Sequence, residues 1–215
     1  PKFFDETGTT YDGVVSYGTL GKDKYWKRKM LEQISDGSSF LDLACGTGIL
    51  TRKIAEKFPN SKIVGIDITK SYLDVAKENS SYFENISFIL DDAEEFKLDS
   101  KFDCITASYL PKYCDPEILV KNCTTHLKPG GKIIFHDFTY PKNLVVRGLW
   151  NLFLTSLRLV GCFIPSWKDA LIGLPKLIRR TKWLESYSDV MKKNGLNVNR
   201  QYLTCGASAI LTGTK

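Results

Sequence analysis

The sequence predicts an α/β fold, a mostly parallel sheet of seven strands with helices on both faces and a C-terminal antiparallel hairpin. Three observations predict it. Between Phe40 and Phe138, short apolar runs bounded by turn signals alternate with amphipathic segments of helical length, the mark of β-α-β units around a buried parallel sheet. The tail NVNRQYLTCGASAILTGTK reads as two further strands folded back on each other. With 215 residues, 43% of them hydrophobic and 25% charged, the chain suits one globular domain able to bury a core without metals or crosslinks.

Residues 1–39 are expected to form an N-terminal helical cap. A turn-rich stretch containing Tyr and Gly comes first, then a helical pattern with Tyr25, Met30, Leu31 and Ile34 among charges. Residues 40–140 form the sheet core, with strands Phe40–Ala44, Lys62–Ile66, Ile86–Leu90, Phe102–Ala107 and Lys132–Phe138. Helices Leu50–Lys57, Ser71–Asn79 and Pro116–Leu127 lie between them, and KPGGK (Lys128–Lys132) is a loop feeding the fifth strand. Residues 141–184 differ in character: LVVRGLWNLFLTSLRLVGCFIP (Leu144–Pro165) is strongly apolar but carries Arg147 and Arg158, and the basic KLIRRTKW follows. Roughly 20 apolar residues cross a bilayer, yet each mid-membrane arginine costs about 2.5–3.5 kcal/mol. The segment therefore reads as a helical lid over an apolar pocket or an interfacial helix with snorkelling arginines. Residues 185–215 supply a helix, Glu185–Asn194, stopped by Gly195, and the closing strands.

The 30 basic and 24 acidic residues give a net charge of +6, compatible with anionic partners or headgroups and equally with plain solubility. The basic residues do not interleave with aromatics in a stripe, and no N-P-P-Y-type motif stands at Ser108-Tyr109-Leu110-Pro111, so no nucleic-acid partner is expected. Six scattered cysteines without a C-x-x-C pair read as reduced thiols, with no metal expected. The polar start PKFFDETG has no apolar h-region. The expected location is the cytoplasm, at the inner face of its membrane.

Chemistry concentrates at the strand ends. Right-handed crossovers place the turns after the strand C-termini on one edge, where ligands bind. LDLACGTG (Leu41–Gly48) ends a strand in an acid, Asp42, and opens a helix through Gly46 and Gly48, which let a ligand approach bare backbone. GIDI puts Asp67 at the next strand end, placed to take ribose hydroxyls. DDAEEF puts Asp92 at the third, beside the backbone of Ala93, to meet an adenine amino group. Three acids suit a nucleoside ligand that carries no phosphate. Gly46-Thr47-Gly48-Ile49-Leu50-Thr51 also lacks the third glycine of a dinucleotide site, which disfavours a dehydrogenase.

The combination LDLACGTG…GIDI…DDAEEF…LKPGG resembles the class I S-adenosylmethionine-dependent methyltransferases. The resemblance implies a Rossmann-like fold, S-adenosyl-L-methionine as cofactor, and Asp42, Ala44, Gly46, Thr47, Gly48, Asp67, Ile68, Asp92, Ala93 and Ser108 as its binding set. More narrowly, the chain resembles the ubiquinone/menaquinone biosynthesis C-methyltransferases over nearly its whole length. YDGVVSYGTLGKDKYWKR (Tyr11–Arg28) fits that family's N-terminal signature, Ala44 stands where this family has alanine, and DFTYP (Asp137–Pro141) and the ending GASAILTGTK match its later signatures. The acceptor so implied is hydrophobic, a demethylmenaquinol- or quinol-type ring methylated on carbon. The other readings are an O- or N-methyltransferase for a small aromatic or a phospholipid amine, and a non-catalytic cofactor-binding regulator. Peripheral membrane contact and a dimer are the expected associations. The family's Asn is Val15 here, its His-Arg pair is Asp23-Lys24, and its Gly-Leu-Arg-Asn is Tyr109-Leu110-Pro111-Lys112. Those positions face the acceptor in the family, so cofactor use carries over and quinone specificity does not.

Methyl transfer is an in-line displacement that needs alignment and a dry pocket, plus a base if a ring hydroxyl is to be deprotonated. His136, Asp137 and Tyr11 are the candidates. His136 ends the fifth strand, but alternation leaves two readings open, approach to the methyl or burial between sheet and helix. Tyr25 and Trp26 are expected in helix packing, His126 as a helix C-cap and Lys112 as an exposed loop lysine. Trp150, Phe153, Leu154, Leu157 and Phe163 recur at helical spacing, as core by default or as a tunnel for a lipid-like acceptor, with Arg147, Arg158, Arg179 and Arg180 towards headgroups.

Overall fold

The computed structural model describes residues 10–161 and 167–215. Its strands are β1 (Ser39–Leu43), β2 (Lys62–Asp67), β3 (Ile86–Leu90), β4 (Phe102–Ser108), β5 (Leu127–Phe138), β6 (Asn197–Leu203) and β7 (Ser208–Thr214). They form one sheet in the order β3-β2-β1-β4-β5-β7-β6. The first five run parallel, and β7 lies antiparallel between β5 and β6, so the tail is the expected hairpin. Chain order reverses between β1 and β4, which opens a crevice at their C-terminal ends.

Period-two alternation divides the core into two layers. Leu41, Leu43, Ile105, Ala107, Ile133, Phe135, Ala209 and Leu211 turn to one face, where α5 (Pro116–Thr125) and α8 (Trp183–Lys193) cover them with Leu119, Val120, Cys123, Leu184 and Tyr187. Phe40, Cys104, Ile134, Phe138 and Ile210 turn to the other. There α2 (Lys22–Gln33), α3 (Ile49–Lys57), α6 (Leu144–Gly161) and α7 (Lys168–Arg180) contribute Trp26, Met30, Leu50, Ile54, Leu154, Leu157 and Ile178. The remaining helices are α1 (Tyr11–Gly18) and α4 (Lys70–Asn79).

Three elements differ from the sequence reading. The stretch expected as turns contains α1, which ends in backbone bonds from Thr19 to Val15 and from Leu20 to Tyr17. Leu20 and Gly21, both at positive φ, then redirect the chain into α2. Strand β5 begins at Leu127 instead of Lys132, because Leu127 pairs with Phe102 and Lys132 with Cys104, and the register shift absorbs the intervening KPGG. Finally, α8 starts at Trp183, whose indole N–H donates to the Phe138 carbonyl at 2.6 Å.

In α6, Leu154 and Leu157 are buried, and Trp150 and Phe153 pack half-buried against the same cluster as Trp26 and Phe138. The stripe therefore joins the core as expected; Phe163 lies outside the described residues. No helix among the described residues is long and apolar enough to cross a membrane.

Candidate functional site

Where β1 ends, the chain turns into α3 through Ala44 (φ 50°), Gly46 (φ 57°) and Gly48 (φ 77°). Left-handed backbone is natural for the two glycines and strained for Ala44, and such strain persists only where surrounding bonds enforce it. They do so here: Cys45 N–H donates to the Ile66 carbonyl at 2.9 Å, and Gly46 N–H to Asp67 Oδ2 at 2.8 Å. Arg52 Nη1 donates to the Thr47 carbonyl at 2.8 Å. From the cap, Asp12 Oδ1 accepts the Thr47 hydroxyl at 2.6 Å, tying α1 to the turn. Gly65 is needed beside it, since a Cβ there would stand 2.8 Å from the Phe88 ring and 3.0 Å from Cys45 Sγ.

Asp42 lies beneath this turn with both oxygens engaged, accepting the Thr51 hydroxyl at 2.7 Å and the Thr106 hydroxyl at 2.8 Å. It thereby clamps α3 to β4, and burial pushes its carboxyl up to about 6. The sequence places Asp42 in the cofactor site as its source of negative charge, and the structure sets it in the lining of the cavity there. Two threonine hydroxyls hold its orientation, and it gives the site a negative field. Asp67 Oδ2 holds Gly46, and its Oδ1 accepts Thr69 N–H at 2.9 Å. The Thr69 side chain and the Ile68 backbone also bond this carboxylate, so a ribose hydroxyl would share or displace one of these donors. Burial raises this carboxyl as well. Asp92 folds into an Asx turn, its Oδ1 accepting Glu94 N–H at 2.8 Å. The Ala93 N–H meets no acceptor among the described residues. Ile68, 56% exposed, presents an apolar flank beside Asp67. Acids for a ribose, an unspent N–H and an apolar wall for a purine together fit an adenosyl group.

Ser108 ends β4 beside the cavity that Lys27, Asp42, Ala44, Thr47, Ser108 and Tyr109 enclose, about 30 Å³ and room for roughly one water. Behind Ser108, the His136 side chain is fully buried. His136 Nδ1 lies 3.0 Å from the Ser108 hydroxyl and Nε2 2.7 Å from the Ser208 hydroxyl, which itself donates to the Asp137 carbonyl at 3.2 Å. Trp26 and Tyr109 rings cover it at 5.4 and 5.1 Å. Burial lowers the imidazole well below its ordinary range, with Lys27 and Lys112 adding to the effect. Of the two readings left open for His136, the buried one is realised: its nitrogens are spent on two serines, and it positions Ser108 without reaching an acceptor.

Asp137 is corrected in the same way. It points to the opposite face, fully buried, with Oδ1 accepting Lys112 Nζ at 2.9 Å and Phe138 N–H at 2.8 Å, and Oδ2 accepting Lys112 N–H at 3.1 Å. Burial raises its carboxyl against the pull of the ammonium. Lys112, expected as an exposed loop lysine, is its buried partner and also donates to the Tyr109 carbonyl at 2.6 Å. Tyr11 opens α1, and its side chain lies outside the described residues. Trp26 is in helix packing as expected, its indole donating to Thr204 Oγ1 at 2.8 Å. His126 caps α5 as expected, with Nδ1 2.9 Å from the Asn122 carbonyl.

Tyr109, at a position the sequence set apart as acceptor-facing, lines the far side of the cavity with Lys27, which sequence reasoning missed. Tyr109, at φ 65°, donates its hydroxyl to Asp23 Oδ1 at 2.9 Å, and Asp23 also pairs with Lys27. The i,i+4 spacing of Asp23 and Lys27 was readable as a helix pair; their burial under Tyr109, 86 residues away, was not. Tyr109 also begins an aromatic row. Its ring stacks on Phe138 at 5.2 Å, Phe138 meets Trp150 at 6.0 Å, and Trp150 stacks on Phe153 at 5.4 Å. The Trp150 indole N–H is buried without an acceptor.

Comparison with known proteins agrees with this geometry. The family described as a methyltransferase domain matches residues 34–157. The ubiquinone/menaquinone biosynthesis C-methyltransferase UbiE of Hahella chejuensis is 30% identical over an alignment that covers 100% of this chain and 90% of that protein. Among solved structures, a methyltransferase bound to the Trm112 activator of Haloferax volcanii shares the fold with a TM-score of 0.69 at 16% identity, over 98% of this chain and 96% of that one. The N-methyltransferase NodS of Bradyrhizobium japonicum, in complex with S-adenosyl-L-homocysteine, superposes with a TM-score of 0.57 at 16% identity, over 89% and 86% of the two chains.

Proposed function

Since the chain belongs to the S-adenosylmethionine-dependent methyltransferases, within the ubiquinone/menaquinone biosynthesis C-methyltransferase family, we propose that it methylates a ring carbon of a demethylmenaquinol- or quinol-type acceptor with an apolar tail. Bound S-adenosylmethionine supplies an electrophilic methyl on a sulfonium. The chain's own residues supply the rest. Asp67 and the Ala93 N–H would hold the ribose and the purine, and the Asp42 carboxylate would favour the cofactor's cation from below. Ser108, oriented by His136, and the Tyr109 hydroxyl, oriented by Asp23, are the polar groups on the acceptor side.

The observation that carries the acceptor class is the aromatic row from Tyr109 through Phe138 and Trp150 to Phe153. The row packs in the core behind Tyr109, which lines the cavity and would give a conjugated ring a dry, aromatic wall, and a buried indole N–H without a partner is the kind of group an acceptor oxygen satisfies. The test is mass spectrometry of demethylquinol and total lipid extracts incubated with the protein and isotopically labelled cofactor. Label on a quinone ring carbon is the expected result. Label in an ether or a phospholipid amine would move the activity to O- or N-methylation, and no product from any extract would overturn the proposal. Trp150→Phe is expected to raise KM for the quinol several-fold while cofactor affinity stays constant.

A further inference from the structure

We propose that α6 is a docking helix for anionic phospholipid bilayers, its outer face resting among the upper acyl chains and the basic residues around it meeting lipid phosphates. The inference concerns a surface and stands apart from the identity of the methyl acceptor. At about 100° per residue, the exposed positions of α6 (144, 145, 148, 149, 152, 155, 156 and 159) fill one continuous arc of about 140°. Leu144, Val145, Leu149, Leu152 and Leu159 are 64% to 73% exposed there. The other three positions are Gly148, Thr155 and Ser156, so the arc contains no charge at all. An exposed apolar stripe of this kind marks an interaction site.

Charge selects the partner. Residues 141–184 hold eight of the chain's 30 basic residues and one of its 24 acids, a net of +7. The remainder has 22 basic and 23 acidic residues, a net of −1, so the whole positive excess sits in the segment that carries the apolar arc. None of the eight is in a salt bridge among the described residues. Arg147 and Arg158 lie along one flank of the arc. On that flank Asn151 accepts Arg179 Nη2 at 2.8 Å, and Arg179 shares a groove of about 510 Å³ with Lys142 and Lys182. A second copy of the chain laid on this face would set +7 against +7. An anionic leaflet complements both the arc and its basic border. Among the described residues no helix is long and apolar enough to span, and an apolar arc with a basic flank suits a helix lying in the interface.

The test is flotation of the full chain with vesicles of phosphatidylcholine alone and with vesicles containing phosphatidylglycerol. The wild type is expected to float with the anionic vesicles, and salt is expected to release it. Leu149→Ser/Leu152→Ser, at two surface positions, is expected to weaken partitioning at least tenfold. Arg179→Glu/Lys182→Glu is expected to abolish the preference for the anionic lipid. Calorimetric cofactor affinity, unchanged in both variants, verifies that they are folded. Equal recovery of the wild type in the soluble fraction with both vesicles would overturn the proposal, as would undiminished binding by the leucine variant. Self-association in sedimentation without lipid, lost in the leucine variant, would assign the face to a second copy and also overturn it.

Discussion

Replacing Asp42 by Asn separates what this residue does for the cofactor from what it does to the fold. Burial drives the Asp42 carboxyl from 3.8 to about 6. At 1.36 kcal/mol per pH step between the two values, holding the charge at neutral pH costs the folded chain about 3 kcal/mol. The sign follows from proton uptake. Below pH 3.8 both folded and unfolded chains are protonated and the deficit vanishes. Between 3.8 and 6 only the folded chain keeps its proton, so this contribution to stability falls as pH rises; above 6 the deficit is constant. Asparagine keeps the shape and the network. Its Oδ1 accepts the Thr51 hydroxyl, and its amide donates to Thr106 Oγ1, whose own proton turns to the Leu41 carbonyl, 3.4 Å away. Asp42→Asn is therefore expected to be more stable than wild type at pH 8 by up to about 3 kcal/mol, a Tm gain of up to roughly 6–12 °C for a chain of this size. The gain should shrink towards zero as pH approaches 4. Cofactor affinity should fall on the order of tenfold, about 1.4 kcal/mol, because the cation loses the field beneath it. Scanning calorimetry across pH and titration calorimetry with the cofactor read the two effects. A variant that melts below wild type at pH 8, or binds the cofactor equally well, refutes the reasoning.

Two further substitutions probe the same edge. Asp67→Ala removes the ribose acceptor and frees the Gly46 and Thr69 N–H groups it holds; cofactor affinity should drop by about 1.5–3 kcal/mol, the worth of hydrogen bonds to a charged group, and an unchanged calorimetric Kd would remove Asp67 from the cofactor site. Gly65→Ala drives a Cβ into the Phe88 ring at 2.8 Å, an overpacking that should lower stability by about 1–3 kcal/mol in denaturant titration, and wild-type stability would show that the ring yields freely.

The sheet was legible because each strand announces itself by local alternation and each crossover by helical period, and both patterns need only neighbouring residues. The cofactor edge was legible for the same reason: Asp42, Gly46, Gly48 and Asp67 all sit at the junction of a strand run and a turn signal. What escaped depends on partners distant in sequence. Lys112 looks like a loop lysine until β5 brings Asp137 beneath it, 25 residues later. His136 alternates into the core, but only the fold supplies Ser108 and Ser208 to occupy both its nitrogens. α1 contains Gly13 and the β-branched pair Val14-Val15 and has no capping side chain, so its local propensity argues for turns; the bond from Thr47 to Asp12 is the tertiary tie that sequence alone hides.

Asp23, Tyr109, Lys112 and Asp137 are wired to one another. Asp23 receives the Tyr109 hydroxyl, the Tyr109 carbonyl receives the Lys112 ammonium, and Lys112 neutralises Asp137. An engineer who replaced Lys112 alone would strand the Asp137 charge in the interior. Lys112 and Asp137 therefore have to be exchanged together, as one buried unit.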